Sequence, residues 1–237
     1  MKLKYVTITG VDERTDLDRL QELGQKYPFA EFGVLLSYDW SMNGHRFPHT
    51  DILRALKGRG LNLSAHFCGK MAIDVMNHDL FKVYNVGKGY LDIFRRCQLN
   101  LNASGHFDEL RKVRPFLNIE EIIIQMHYPE FLERFLEGEL PNRASYLLDA
   151  SAGRGIDTPI RIVTHPNVHV GYAGGISPDN VETKLRTLLD HESDDVFWID
   201  METMVRTEDE WLDLDKVERV LSICDQVLKQ YDNPLAK

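Results

Sequence analysis

Short apolar, strand-like runs alternate with amphipathic helical runs along the whole chain, and this alternation narrows the fold more than any single motif. The strand-like runs are Tyr5–Val11, Phe29–Leu36, Leu61–Phe67, Gln98–Ala103, Glu121–His127, Ser145–Asp149, Val168–Tyr172 and Val196–Asp200. Helical periodicity falls between them, at Asp16–Leu23, Asp51–Leu56, Phe107–Val113, Pro129–Leu136, Asp179–Leu189 and Leu214–Leu228. The longer segment Met71–Arg96 is expected to hold two helices, with Asn85-Val86-Gly87-Lys88-Gly89 as the break. Eight strands, each followed by a helix or helical turn, predict a parallel sheet, and at 237 residues they predict a closed (β/α)8 barrel, the TIM barrel. A doubly wound open sheet would carry G-x-G-x-x-G after its first strand, and Thr9-Gly10-Val11-Asp12-Glu13 lacks that form. No Pro-, Gly- or Ser-rich linker divides the chain, so residues 1–237 read as a single barrel domain.

A formal net charge of -9 leaves no basic stripe for nucleic acid. An anionic ligand would therefore need a local positive site. No apolar run approaches the ~18 residues needed to span a bilayer. Cys68, Cys97 and Cys224 show no C-x-x-C spacing, which fits a reduced, cytoplasmic setting. Both monomer and homodimer are compatible with this composition.

In barrels the chemistry sits where strands end. Here Leu147-Leu148 run into Asp149, at the rim of an apolar interior that would raise its pKa and suit a general acid. An acid capping the following loop accounts for it equally well. The next strand runs into Gly174-Gly175 and then Ser177, Pro178 and Asp179, which read as a cap, a first-turn proline and an early acid. Glycines let backbone amides approach a ligand closely, and a helix start favours an anion there. Arg46, in the long loop after the second strand, is either a carboxylate or phosphate ligand or a solvated surface arginine. His66, His127, Asp149, Asp200 and Glu202 contain the residue types of a metal site but no H-x-H or H-E-x-x-H spacing. Cys68 reads as a small buried residue, and Glu202 with Arg206 as an ion pair.

Taken together, these positions resemble the phosphoribosylanthranilate isomerase family. Thr7-Ile8-Thr9-Gly10 stands where that family reads K-I-C-G, and Gly44-His45-Arg46-Phe47 where it reads S-P-R and an aromatic. Leu99-Asn100-Leu101-Asn102-Ala103 stands at L-Q-L-H-G, and Leu147-Leu148-Asp149 with Gly153-Arg154-Gly155 is similar to L-L-D and its glycine-rich loop. Ala173-Gly174-Gly175-Ile176-Ser177-Pro178-Asp179-Asn180-Val181 is the closest match, to A-G-G-L-x-P-x-N-V. The resemblance implies an Amadori rearrangement of a phosphorylated, carboxylated sugar derivative, with no metal or organic cofactor. It makes Asp149 the acid and puts Thr9 in the place of the catalytic base. Arg46 would hold a carboxylate and Gly174-Gly175 the phosphate, with Asn102 and Asp200 also binding substrate. Two departures stand out. Thr9 replaces a cysteine, and a hydroxyl is no base near neutral pH, so Asp12, Glu13 or His66 would have to substitute. Asp200-Met201-Glu202-Thr203-Met204-Val205-Arg206 departs from D-x-S-S-G-V-E and puts an acid near the phosphate. Two alternatives stay open: a metal-dependent epimerase or lyase using His66, His127 and Asp200, or a non-catalytic ligand-binding homologue.

Overall fold

In the computed structural model the described residues are 1–39, 45–101, 103–138, 140–151, 153–165 and 168–232. Their eight strands are β1 (Lys2–Thr9), β2 (Ala30–Leu36), β3 (Leu63–Cys68), β4 (Arg96–Asn100), β5 (Glu121–Met126), β6 (Ala144–Asp149), β7 (Val170–Ala173) and β8 (Val196–Met201). Each pairs in parallel with the next, and β8 returns to β1 to close the barrel in strand order 1 to 8. The helices are α1 (Leu17–Lys26), α2 (Asp51–Leu56), α3 (Lys70–Met76), α4 (Leu80–Val86), α5 (Phe107–Leu110), α6 (Pro129–Leu136), α7 (Val181–Leu189) and α8 (Leu214–Asp232). Asp16 caps α1 by accepting the amides of Asp18 and Arg19, and Leu20 and Leu23 turn the helix's apolar face onto the sheet. Closure removes both sheet edges, which rules out the open doubly wound alternative.

Several boundaries differ from the sequence reading, each for a local reason. β1 ends at Thr9 rather than Val11 because Gly10 takes φ +122°, and the Arg206 guanidinium occupies the space a side chain there would need. β4 begins at Arg96, before Gln98, because Arg96 is a buried interior residue and not a solvated flank. The break between α3 and α4 falls at Asn77–Asp79, with His78 at φ 59°, and Asn85–Gly89 instead ends α4. α5 stops at Leu110, short of Val113, where the approach to Pro115 disfavours helix. Among the described residues no helix lies between β6 and β7, so one of the eight expected helical units is a loop.

Period-2 alternation puts every second strand residue inside the barrel, where three tiers form. At the N-terminal end Arg96 donates to Glu31 through Nη1 and to Glu121 through Nε, both at 2.7 Å, and is buried with them. Its guanidinium lies 5.0 Å from the Tyr5 ring centroid and 4.6 Å from that of Trp198. Thr7 donates to Glu31 at 2.8 Å, Lys4 donates to Glu121 at 2.8 Å, and Ser145 also donates to Glu121. Burial works against the Glu121 carboxylate, but donation from His169, the Arg96 charge, Lys4 and Ser145 prevail and hold it well below the usual range. The middle tier is a small apolar cluster of Ile123, Leu147 and Trp198, packed with Tyr5 and Ala173. The third tier is the polar site at the C-terminal end. The larger apolar core lies outside the sheet, between strands and helices.

Two substitutions test this interior. Replacing Arg96 with Met leaves buried Glu31 without its cation and Glu121 with Lys4 but no guanidinium, and should cost about 3–5 kcal/mol in urea denaturation. A Cβ at Gly171 would overlap the indole of Trp198, so Gly171→Ala should lower stability by about 1–3 kcal/mol. Wild-type midpoints in both variants would mean that the interior repacks freely.

Candidate functional site

The C-terminal strand ends open onto a cavity of about 380 Å³, and every strand but β2 contributes to its wall. β2 contributes space instead. A side chain at Gly33 would collide with Thr9 Oγ1 and His66 Nε2, so its absence leaves room for those two groups. Thr9 is buried on the floor, where its hydroxyl donates to Asp200 Oδ1 at 2.9 Å. Burial raises the Asp200 pKa well above the carboxylate range. The Thr9 hydrogen bond opposes this, and nearby Glu202, Glu31 and Asp149 add to it. His66 bonds Ser64 Oγ through Nε2 at 3.1 Å, and burial, aided by the charge of Arg96, lowers its pKa to about 3. Its imidazole is therefore neutral at physiological pH.

Asp149 also lines the cavity, and protein donors engage both of its oxygens. Oδ1 accepts from the Ser151 amide at 3.1 Å and hydroxyl at 2.7 Å. Oδ2 accepts from Gln125 Nε2 at 3.0 Å and from the Gly153 amide at 2.7 Å. Such a carboxylate organises the loop after β6. Among the described residues, Gln98 Oε1 and His127 Nδ1 are buried polar atoms on lining residues with no hydrogen-bond partner.

Gly174 and Gly175 adopt φ +117° and +60°, and both line the cavity. Side chains there would overlap Thr158 Oγ1 and the Ile156–Asp157 backbone, so the loop after β6 seats directly on the pair. The amides of Gly174, Gly175 and Ile176 donate to no described residue. Regular helix begins later than the sequence implies, at Val181, and Ser177–Asn180 forms a leading turn. In that turn Asn180 Oδ1 accepts the Ser177 amide at 2.8 Å, and Ser177 Oγ accepts the Asp179 amide at 3.3 Å. The free amides are thus those of the glycine turn, not of the helix itself.

Arg46 is absent from the cavity wall. Its Nη1 donates to Glu202 Oε1 at 3.1 Å and its Nε donates to Glu210, whose hydrogen bond is the leading cause of a raised Arg46 pKa. Arg206 is buried, donates through Nη1 to the Glu210 carbonyl at 2.6 Å, and lies 3.6 Å from Glu202 and 3.9 Å from Asp12. Glu202 faces the cavity, and burial raises its pKa against the opposing charges of Arg206 and Arg46. Of the substitute bases, only His66 lines the cavity. Asp12 accepts the Leu212 amide at 2.7 Å and the Thr15 hydroxyl at 3.0 Å, and Glu13 accepts the His49 amide. Asn102 lies outside the described residues. Cys68 is held by Asn100 Nδ2 at 3.4 Å, and burial lifts its thiol pKa to about 12. Among the described residues no group of three His, Cys, Asp or Glu side chains is placed to hold a metal, although His66, His127, Asp149, Asp200 and Glu202 share one cavity. The sequence reading passed over Gln98, yet it shares the strand parity of Asn100. Among the described residues no helix is long and apolar enough to cross a membrane.

No family model and no curated protein sequence matches this chain. Solved structures do. Phosphoribosyl anthranilate isomerase from Thermus thermophilus aligns at 16% identity over 96% of this chain and 100% of that one, with a TM-score of 0.58. TrpF from Jonesia denitrificans aligns at 12% identity over 94% and 98%, TM-score 0.56. A truncated 3-deoxy-D-arabino-heptulosonate 7-phosphate synthase from Thermotoga maritima aligns at 11% identity over 97% and 88%, TM-score 0.57. Similarity at such identities is similarity of fold: the chain is a TIM barrel, built like enzymes of differing chemistry.

Proposed function

We propose that this barrel is an isomerase that moves a proton between adjacent carbons of a phosphorylated sugar derivative. The observation that carries this reading is Asp200, a buried carboxyl that stands on the cavity floor beside Thr9 and whose pKa burial raises well above its ordinary value. A carboxyl that is neutral near pH 7 can give a proton to a ring or carbonyl oxygen, and such tuning is how one site runs acid chemistry at neutral pH. Asp149, the acid implied by the family resemblance, is assigned instead to positioning, because four donors occupy both of its oxygens and tie it to the β6–β7 loop. Glu202, the other wall carboxyl raised by burial, is the proton acceptor, and neutral His66 is a hydrogen-bonding group. The amides at Gly174–Ile176 take the phosphate, and Gln98 and His127 take hydroxyls. The likeness in fold to an isomerase and a phosphosugar synthase supports the same substrate class.

Solvent-deuterium incorporation at the carbon next to the carbonyl, followed by proton NMR across a panel of aldose phosphates, tests the proposal. Loss of phosphoribosylanthranilate fluorescence tests the reaction implied by resemblance. Wild type should exchange at least one member of the panel, and Asp200→Asn should lower that rate by at least about 100-fold. Wild type without exchange on any member would defeat the reading.

The raised Asp200 pKa also has a stability signature. Folded Asp200 keeps its proton at pH values where the unfolded chain, at about 4, has lost it. Wild type therefore loses stability as pH rises from that range through the raised folded pKa. Asn cannot ionise, so the Tm advantage of Asp200→Asn should be absent near pH 3 and should grow with pH. Parallel melting curves for the two proteins would contradict a protonated Asp200.

A further inference from the structure

Glu202 faces the cavity while Arg46 and Arg206 stand behind it. Its Oε1 accepts from Arg46 Nη1 at 3.1 Å and lies 3.6 Å from Arg206 Nη2. Glu210 takes Arg46 Nε, and Asp12 stands 3.9 Å from Arg206. Two guanidiniums thus meet three carboxylates, so the cluster holds no surplus positive charge. Arg206 has no freedom to approach the cavity, since it is buried against Gly10 and donates to the Glu210 carbonyl. Among the described residues the wall itself includes no Lys or Arg. Arg154 is exposed and donates to the Ser151 carbonyl at 2.9 Å. The cavity therefore offers an anion the glycine-turn amides after β7 and, just past the end of the adjoining β8, a carboxylate.

From this arrangement we infer that Glu202 is a specificity-determining residue: it occupies Arg46, the arginine that would otherwise receive a second acidic group, and restricts the site to phosphorylated polyols and sugars without a carboxylate. The inference rests on the phosphate-cradle part of the proposed function. It departs from the carboxylate-binding role that resemblance gives Arg46. A ligand carboxylate beside Glu202 would face a like charge in a partly desolvated wall, which weakens its binding.

Matched probes of two lengths isolate this effect. Glycerol 3-phosphate is compared with 3-phosphoglycerate, and ribitol 5-phosphate with 5-phosphoribonate, by calorimetric titration at constant pH and ionic strength. Each pair differs only in a terminal hydroxymethyl or carboxylate. Wild type should bind the alcohol of at least one pair at least about tenfold more tightly than the acid. Glu202→Gln keeps the side-chain shape and frees one positive charge, and should bring that ratio below about threefold or reverse it. Glu210→Gln relieves the same arginine without facing the cavity and should keep most of the discrimination. Equal or tighter binding of the acids by wild type, or an unchanged ratio in Glu202→Gln, would overturn the inference. Equal loss of discrimination in both variants would also overturn it, because the effect would then belong to Arg46 alone. Failure of every probe to bind either wild type or Glu202→Gln would remove the phosphate cradle, and the specificity with it. Binding without discrimination would remove only the role of Glu202.

Discussion

At the N-terminal end of the barrel, one guanidinium bridges two carboxylates across three strands and lies between two aromatic rings. A barrel interior is normally filled by branched apolar side chains in layers. Here the lowest layer is ionic, and the layers above adapt to it. Trp198 lies over Arg96 and is too large for a strand neighbour with a side chain, so β7 carries Gly171 at the contact. The indole, Leu147 and Ile123 then form a thin apolar floor that separates the ion layer from the site. A buried ion network adds little net stability over a well-packed apolar layer, but removing one member leaves the others uncompensated. Its effect is to restrict which interior is compatible with the strands.

Above that floor the wall carries a polar side chain from every strand that reaches it except β7, which contributes Ala173, and two features are asymmetric. Positive potential for an anion comes from backbone amides at one glycine turn, while side-chain charge on the wall is acidic. Asp200, enclosed on the floor, has its pKa raised because burial outweighs the Thr9 hydrogen bond. Asp149, at the end of β6 two strands away, is surrounded by donors and braces a loop. Two carboxyls close in the fold thus do different work, and the difference lies in their surroundings rather than in residue type.

The fold was largely legible because strand and helix periods survive in single-sequence patterning. The misplaced elements were those whose residues break the usual code. Arg96 reads as a surface residue and is interior, and a positive-φ histidine, not a glycine-rich tract, separates α3 from α4. At the site, Thr9, Asp149, Gly174, Gly175 and Asp200 were found by their place at strand ends, and all five line one cavity. Arg46 was placed there by motif and stands behind Glu202 instead, while Gln98 was passed over although its strand parity matched Asn100.

What the sequence determined by itself is the closed eight-unit barrel and the set of residues at its C-terminal rim. Both follow from local periodicity, which needs no knowledge of distant neighbours. Tertiary structure alone decided which carboxyl burial shifts upward, which is saturated by donors, and which arginines are already paired. Those outcomes depend on burial and on partners far apart in the chain, such as Thr9 with Asp200 and Arg46 with Glu202 and Glu210. Charge and hydrogen-bond energies depend on distance and dielectric in space, and spacing along the chain does not encode them.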